Sequence, residues 1–290
     1  MTGIPFTRRL KGLNRPLALV LGTNEIASAV GVAFHRDGFG VLLSHDPAVP
    51  VIRRGMAFHD VLYGDHAEVE GYTAVCAERA MDAKREALAN GRIVVTPLEL
   101  CDLLVLGEIS VIADARMRKR RVMPDFRNLV QISIGLGPGF IAGSNCDLAI
   151  ETWPAHAGKI LEHGATRSAD GIARKLGEAG KERFIYSQSD GRWRTALSVG
   201  QRIFKGYPVG LLQNSVLTAP MDGILRGIAR DDTMVPAHVK LVEVDPRGRN
   251  AQWLGTDLRG KIIAKATLEA VRSRLPRNQG AKMLRLVHSA

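Results

Sequence analysis

The chain has 290 residues, of which 46% are hydrophobic and 24% are charged, a composition typical of a globular protein with a sizeable core. No apolar run approaches the roughly 18 residues of a membrane-spanning helix, and the basic N-terminal stretch lacks the apolar segment of a secretory signal. Three widely spaced cysteines, Cys76, Cys101 and Cys146, argue against a disulfide framework and favour a cytoplasmic location. No histidine or cysteine spacing indicates a metal site.

The charge balance favours anionic partners. Forty Lys and Arg residues against 29 Asp and Glu residues leave a formal net charge of +11, which suits nucleic acid, an anionic membrane surface or phosphorylated small molecules. The run RMRKRR (Arg116 to Arg121) concentrates five of these charges. It is also compatible with a solvated loop. Only 5% of the residues are aromatic, so base stacking, and with it nucleic-acid binding, has little support.

The N-terminal part of the chain predicts a strand, a helix and a second strand. The strand is Leu17–Leu21, Asn24 caps a helix that Gly38 ends, and Val41–Leu43 is the next strand. This order is that of a Rossmann-like opening. The glycine fingerprint of a dinucleotide site is absent, because Gly22 is followed by Thr, Asn and Glu, and Glu25 puts negative charge where a diphosphate would lie.

Further alternation extends the predicted Rossmann-like α/β domain to about residue 130. The predicted helix covers AERAMDAKREALANG, and the predicted strands lie near Val61–Tyr63, Ala67–Val75, Ile93–Val95, Leu103–Leu106 and Val111–Ala113. A central glycine-loop segment, residues 131–182, contains two further strands and a polar stretch from Gly164 to Arg183, which suggests an exposed loop or a domain boundary.

The C-terminal part, residues 183–290, contains an internal repeat. Residues 189–209 match residues 221–241 at an offset of 32, with Asp190-Gly191 opposite Asp222-Gly223 and Trp193 opposite Leu225. Two related sets of turns and short strands predict a two-repeat β-barrel of the biotinyl/lipoyl type. Neither Asp-Gly turn carries a lysine, which argues against a swinging-arm carrier. A final helix is predicted over roughly Gly260 to Arg274.

The glycine-rich stretch ISIGLGPGFIAG (Ile132 to Gly143) is a candidate anion site. Gly135, Gly137 and Gly139 follow a strand, and their backbone N–H groups could form an anion-binding nest. Phe140 stands where a dinucleotide fingerprint needs glycine, and no helix follows, so a tight structural turn is the alternative. Cys146, just beyond, is either an activated thiolate or a small core residue.

Two adjacent arginines follow the second strand. Arg53 and Arg54 lie where open α/β sheets bind ligands, and paired guanidinium groups suit phosphate or carboxylate recognition. They could equally form ion pairs with Asp46 or Asp60.

These motifs together resemble a known family. IGLGPGFIAGSNCDLAIET, preceded by VIADARMRKR and followed by LTAPMDGILRGIARDD and VEVDPRG, is similar to accessory proteins of the selenium-dependent molybdenum hydroxylase system, which are related to the maturation factors of xanthine and carbon monoxide dehydrogenases. The resemblance covers most of the chain. The turn GTNEIAS (Gly22 to Ser28) departs from the glycine-rich first turn of that family.

The resemblance implies a protein that binds, and helps to mature or insert, an anionic molybdopterin-type cofactor for a molybdenum hydroxylase client. The cofactor-binding residues implied are Arg53, Arg54, Arg118, Lys119, Gly135, Gly137, Gly139 and Phe140, with Cys146 as the candidate catalytic residue. The alternative is a Rossmann-type enzyme acting on a nucleotide or pterin-like small molecule. Neither interpretation involves a membrane.

Overall fold

The computed structural model of the protein describes residues 15–119 and 121–275, so the basic stretch before residue 15 lies outside the described residues. Four α-helices are present in this part of the chain: α1 (Glu25–Arg36), α2 (Ala80–Leu88), α3 (Leu100–Leu104) and α4 (Leu258–Arg274). The strands in chain order are β1 (Leu17–Leu21), β2 (Gly40–Ser44), β3 (Glu68–Val69), β4 (Tyr72–Cys76), β5 (Ile93–Thr96), β6 (Ile109–Asp114), β7 (Ile132–Leu136), β8 (Ile141–Ala142), β9 (Leu148–Ile150), β10 (Ile160–Leu161), β11 (Gly164–Ala165), β12 (Phe184–Tyr186), β13 (Gly191–Arg194), β14 (Arg202–Ile203), β15 (Pro208–Leu212), β16 (Ser215–Thr218), β17 (Gly223–Ile228), β18 (Thr233–Val235) and β19 (Lys240–Asp245).

A nine-stranded sheet forms the N-terminal part, in the order β10-β9-β7-β6-β1-β2-β5-β4-β3. The strands from β9 to β4 run parallel, and β10 and β3 add antiparallel strands at the two ends. The central strands β1, β2 and β7 are buried along their whole length, which is why they consist mainly of apolar residues without alternation.

Helices cover both faces of this sheet. On one face α1 and α4 pack against each other, and α4 also contacts β7, β9 and β10. On the other face, Ala83 and Ala87 of α2 and Leu103 of α3 join a second core with Phe126 and Phe140. The helix α4 therefore returns from the C-terminal end of the described chain to cover strands that have no helix of their own.

The predicted Rossmann-like architecture is wrong for this sheet. The described residues of the connections from β6 to β7 and from β7 to β9 contain no helix, so the part of the sheet from β6 to β9 is not built from β-helix-β units. Residues 115–131 carry a run of basic residues and a proline and lack helical periodicity, and α4 covers this part of the sheet instead. The result is a large, mostly parallel mixed sheet with few helices. The proposed boundaries near residues 130 and 182 stay predictions.

Three segments differ from their predicted structure. Ala67–Val75, predicted as one strand, forms the hairpin of β3 and β4 with a turn at Glu70 and Gly71. Val61–Tyr63, predicted as a strand, belongs to a 3₁₀ helix, His59–Tyr63. Leu103–Leu106, predicted as a strand, overlaps α3, which begins with a capping box between Glu99 and Asp102. The last two are short apolar runs, for which periodicity does not separate strand from helix.

The C-terminal repeat forms two antiparallel sheets of four strands, β12-β19-β17-β14 and β16-β15-β13-β18. The repeat is visible in the strands: β13 and β17 begin at the two repeated glycines, Gly191 and Gly223. Trp193, Leu225 and Val244 are buried in the core of this region. Each sheet takes strands from both copies of the repeat.

The predicted closed barrel is wrong. Among the described residues, strand pairing stays within each of the two four-stranded sheets and does not join them into a barrel. The physical reason is that each sheet buries one face against the other, so the apolar core closes without continuous hydrogen bonding around it. The predicted final helix is present as α4.

None of the helices in residues 15–119 and 121–275 has the length and apolar character needed to cross a membrane.

Candidate functional site

A cleft of about 920 Å³ lies between the large sheet and the C-terminal sheets. One wall is formed by residues that follow the carboxyl ends of parallel strands: Gly22 to Ile26 after β1, Asp46 after β2 and Arg116 to Lys119 after β6. The C-terminal part of the chain contributes Tyr186, Gln188, His238 and Lys240 to the lining. The carboxyl edge of a parallel sheet is where open α/β proteins bind ligands, and this cleft has the volume of a small-molecule site.

The first turn of the sheet is closed by its own contacts. Gly22 has φ +111° and its N–H donates to Ser44 O, while a side chain there would press on the backbone of Ala115. The Asn24 Oδ1 atom accepts hydrogen bonds from the backbone N–H groups of Ile26 and Ala27, and its Nδ2 donates to Ala115 O. The N-terminus of α1 is therefore capped by protein atoms.

The lining of the cleft is strongly cationic. Among the described residues that line it, eight are Lys or Arg and three are Asp or Glu: Arg53, Arg116, Arg118, Lys119, Arg121, Lys181, Lys240 and Arg259 against Glu25, Asp46 and Glu243. Arg120, which belongs to the same basic run as Arg118, lies outside the described residues.

Arg118 is held in place by Asp46. Its Nε and Nη2 atoms donate to the two carboxylate oxygens at 2.9 and 2.6 Å. Burial would raise the pKa of Asp46, but hydrogen bonds from Arg118 and from the Ala48 N–H outweigh it and lower that pKa. A guanidinium has five N–H donors, so this pair leaves further donors on Arg118. Arg116 is oriented similarly by Asp114, with Nη2–Oδ2 at 2.5 Å.

Arg53 lies in the cleft wall but is directed to protein carboxylates. Its Nε and Nη2 donate to Glu243 and its Nη1 donates to Glu25 at 2.9 Å. The loop that carries it is fixed by a hydrogen bond from Ile228 N to Ile52 O, and Gly227 permits this close approach. All three nitrogens of Arg53 are thus engaged.

Glu243 is the centre of a buried charge cluster. The guanidinium of Arg183 donates to it at 3.2 Å, and Arg226 lies at 3.7 Å. Burial would raise the pKa of Glu243, but Arg53, Arg226 and Arg183 hold it below its ordinary value.

Arg54 lies outside the cleft lining. Its Nη1 donates to Asp60 at 2.7 Å, the pairing that the sequence left open, and its Nε donates to Ile228 O. The adjacent arginines therefore have different surroundings and different partners.

The glycine loop is a packed turn whose members do not line the cleft. A Cβ on Gly135 would lie 2.0 Å from Cγ of Phe140, so the buried Phe140 ring occupies the space over that glycine. The Gly137 N–H donates to Ile150 O, and the Thr166 hydroxyl donates to Gly137 O at 2.6 Å. Gly139 has φ +92°. These contacts favour the structural-turn alternative, while the assignment of this loop as an anion-binding nest stays a prediction.

Cys146 is fully buried in the second core of the large sheet. Burial is the main cause that raises the pKa of its thiol to about 12. A thiol in this state is protonated at neutral pH and behaves as a small apolar residue.

Two features of the cleft were missed from sequence. Thr23 lies between two histidines, with its hydroxyl 2.9 Å from His59 Nδ1 and 3.5 Å from His45 Nδ1. Burial is the main cause that lowers the pKa of His59 to about 3. The second feature is Lys240, a cation at the start of β19, whose sequence KLVEVD also contains Glu243 and Asp245. The available signal was a lysine at the head of a buried strand. In the described part of the chain, no group of three or more His, Cys, Asp or Glu residues could hold a metal ion.

No family model matches the chain. It is 27% identical over 256 residues to the uncharacterized protein YqeB of Escherichia coli (strain K12), an alignment that covers 88% of this chain and 47% of YqeB. The chain thus spans about half the length of this relative.

Solved structures give weaker similarities. An aspartoacylase family protein from Mesorhizobium loti is 12% identical, with 81% of this chain and 87% of that one covered and a TM-score of 0.27. A succinylglutamate desuccinylase/aspartoacylase from Rhodobacter sphaeroides is 11% identical, with 79% and 85% covered and a TM-score of 0.25. The ectoine utilization protein from Ruegeria pomeroyi, in a product-bound structure, is 12% identical, with 79% and 52% covered and a TM-score of 0.21. Similarity at this level carries no argument about fold or activity.

Two expectations from sequence are not met. None of these proteins is named as a molybdenum-cofactor maturation factor. The two-repeat β-barrel predicted from the internal repeat is not closed among the described residues. The molybdopterin-type cofactor and the molybdenum hydroxylase client stay predictions from sequence.

Proposed function

We propose that this protein binds a phosphorylated small molecule of about nucleotide size in the cleft at the carboxyl edge of the large sheet. The observation that carries the proposal is the excess of eight cationic over three acidic side chains in the lining of a cleft of about 920 Å³. Such an excess concentrates anions, because guanidinium and ammonium groups with spare donors favour phosphate.

The shape and chemistry of the walls support a ligand with both a charged and an apolar end. The basic residues after β6, Arg116 to Lys119, stand at one side. An apolar surface of the same cleft is formed by Val49, Pro50, Val51, Ile52 and Val239. A planar ring can pack on this surface while its phosphate contacts the basic residues.

A cytoplasmic location belongs to the same proposal. It is supported by the three cysteines, none of which is paired in a disulfide.

The first experiment is mass spectrometry of small molecules released from freshly purified protein. The expected result is a phosphorylated compound in a stoichiometry near one per chain. Recovery of an uncharged compound at that stoichiometry would contradict the proposal.

The second experiment compares two arginine variants in their affinity for adenosine monophosphate, measured by calorimetry. Arg118→Gln removes a cleft cation and leaves Asp46 unpaired. Arg127→Gln is the matched control, because Arg127 forms a similar two-bonded pair with Asp125 away from the cleft. We expect Arg118→Gln to weaken binding about tenfold or more, since a charge-assisted hydrogen bond contributes about 1.5–3 kcal/mol. Adenosine, which lacks the phosphate, should bind more weakly to the unmodified protein. Equal affinities for the two variants would contradict the site.

A further inference from the structure

Lys240 differs in its surroundings from the cleft arginines Arg53 and Arg118. It begins β19 in the wall of the cleft, and its Nζ atom lies 3.7 Å from the centroid of the Phe184 ring. Tyr186, another lining residue, is its partner across the strand pair β12–β19. Within the described residues, no carboxylate oxygen lies within 4.0 Å of this amine, whereas Arg118 and Arg53 each have such a partner. Among the described residues, the Lys240 amine therefore forms no ion pair with a carboxylate.

The charges around Lys240 favour its neutral form. Burial is the largest cause that lowers its pKa to about 8, and the neighbouring cations Arg53, Lys119 and Arg183 lower it further, while Glu243 acts in the opposite direction. At neutral pH an amine with this pKa is unprotonated on the order of a hundredfold more often than an ordinary lysine. An unprotonated amine has a free electron pair and is a nucleophile.

We propose that Lys240 is a nucleophile that forms a reversible imine with an aldehyde or ketone group of a phosphorylated ligand bound in the cleft. The lysine nitrogen attacks the carbonyl carbon and a C–N bond forms. The carbonyl oxygen takes up the two protons lost from the nitrogen, in steps, and leaves as water. The step needs no oxidant or reductant, and hydrolysis restores the free amine.

The ligand class follows from the arrangement of charges and rests on the proposed function. The basic residues after β6 would hold the phosphate, and Lys240, which lines the same cleft and is close enough to Lys119 to be affected by its charge, would meet a carbonyl group of the same molecule. The inference therefore narrows the ligand from any phosphorylated small molecule to one that carries an aldehyde or ketone.

The test uses pyridoxal 5′-phosphate, which carries both a phosphate and an aldehyde, followed by borohydride reduction and peptide mapping. We expect Lys240 to be modified first, at least tenfold faster than the exposed Lys205, and adenosine monophosphate to slow this modification. Labelling should increase as the pH rises through about 8. Lys240→Arg keeps the positive charge but removes the nucleophile, so its labelling should fall to the level of surface lysines. Lys175→Arg, a change of an exposed lysine outside the cleft lining, is the matched control and should keep the fast labelling of Lys240.

The outcomes separate the two proposals. If adenosine monophosphate binds in an Arg118-dependent manner but Lys240 is modified no faster than Lys205, the imine is overturned and the anion site stands. Fast labelling of Lys240 that adenosine monophosphate does not slow would overturn the link between this lysine and the bound anion. If Lys240→Arg fails to fold, the rate and the protection measured on the unmodified chain decide the question.

Discussion

The guanidinium of Arg53 and the carboxylate of Glu243, 190 residues apart in the chain, form two hydrogen bonds of 2.7 and 3.1 Å. Arg53 follows β2 of the large sheet, and Glu243 lies on β19 of the C-terminal sheets. Glu243 is fully buried. This pair fixes the relative position of the two walls of the cleft, because each wall contributes one partner.

Glu243→Gln should destabilise the protein by about 3–5 kcal/mol, because it leaves the guanidinium groups of Arg53, Arg183 and Arg226 without their shared counter-charge. Urea unfolding at pH 7 measures this loss. The control is Asp125→Asn, which breaks the exposed pair with Arg127 and should leave the free energy of unfolding nearly unchanged. Similar costs for both variants would show that the buried cluster does not hold the walls together.

The stability of the protein should depend on pH through His59. The folded-state pKa of about 3 lies below the ordinary 6.5, so the unfolded chain takes up this proton first as the pH falls. The contribution is fully present above about pH 6.5 and is lost below it, at about 1.4 kcal/mol per pH unit. His59→Gln should remove that slope between pH 6 and pH 4.5 in a series of urea titrations. His66→Gln changes an exposed histidine and should leave the slope as it is.

Gly135→Ala should cost about 1–3 kcal/mol, because the new methyl group would occupy the position of the Phe140 ring. In a Phe140→Leu background the same change should cost less, and a double-mutant cycle by thermal unfolding measures the difference. Affinity for adenosine monophosphate should stay unchanged in the folded variants. A large loss of affinity for adenosine monophosphate with normal stability would support the assignment of the glycine loop as an anion site.

Alkylation should distinguish the three cysteines. Cys76 and Cys101 are exposed, whereas Cys146 is buried with a pKa of about 12. Iodoacetamide at pH 7.5 should therefore modify two thiols in the native protein and the third only in urea, as counted by mass spectrometry. Rapid modification of Cys146 in the native state would support the thiolate role that the sequence left open.

Sequence patterns predicted the elements whose causes are local. Asn24 caps α1 as expected, because an N-cap needs only a side chain and the N–H groups two and three residues further on. The repeat at an offset of 32 residues is present in the structure as the strands β13 and β17, which begin at the equivalent glycines Gly191 and Gly223. Leu103 was assigned to the wrong element, because a short apolar run has no period of its own.

Of the candidate site, the sequence indicated the basic residues near Arg118 and the position of Arg53 at a strand end. It did not show that Asp46 orients Arg118 or that Glu243 accepts hydrogen bonds from Arg53. The glycine loop looked like a ligand site because its composition is the same for a nest and for a tight turn. The Phe140 ring over Gly135 is a contact between side chain and backbone that composition does not reveal.

The sequence by itself determined the buried strands β1 and β2, the N-cap at Asn24, the repeat and the positive charge, because these depend on neighbouring residues or on simple counts. Only the tertiary structure decided which cations line the cleft and which of them form ion pairs with carboxylates. It also decided that α4 covers the strands that lack crossover helices. The reason is distance along the chain. Arg53 and Glu243, like α4 and β7, come into contact only after the whole chain has folded. Ion pairing, burial and the lowered pKa of Lys240 all depend on such long-range contacts.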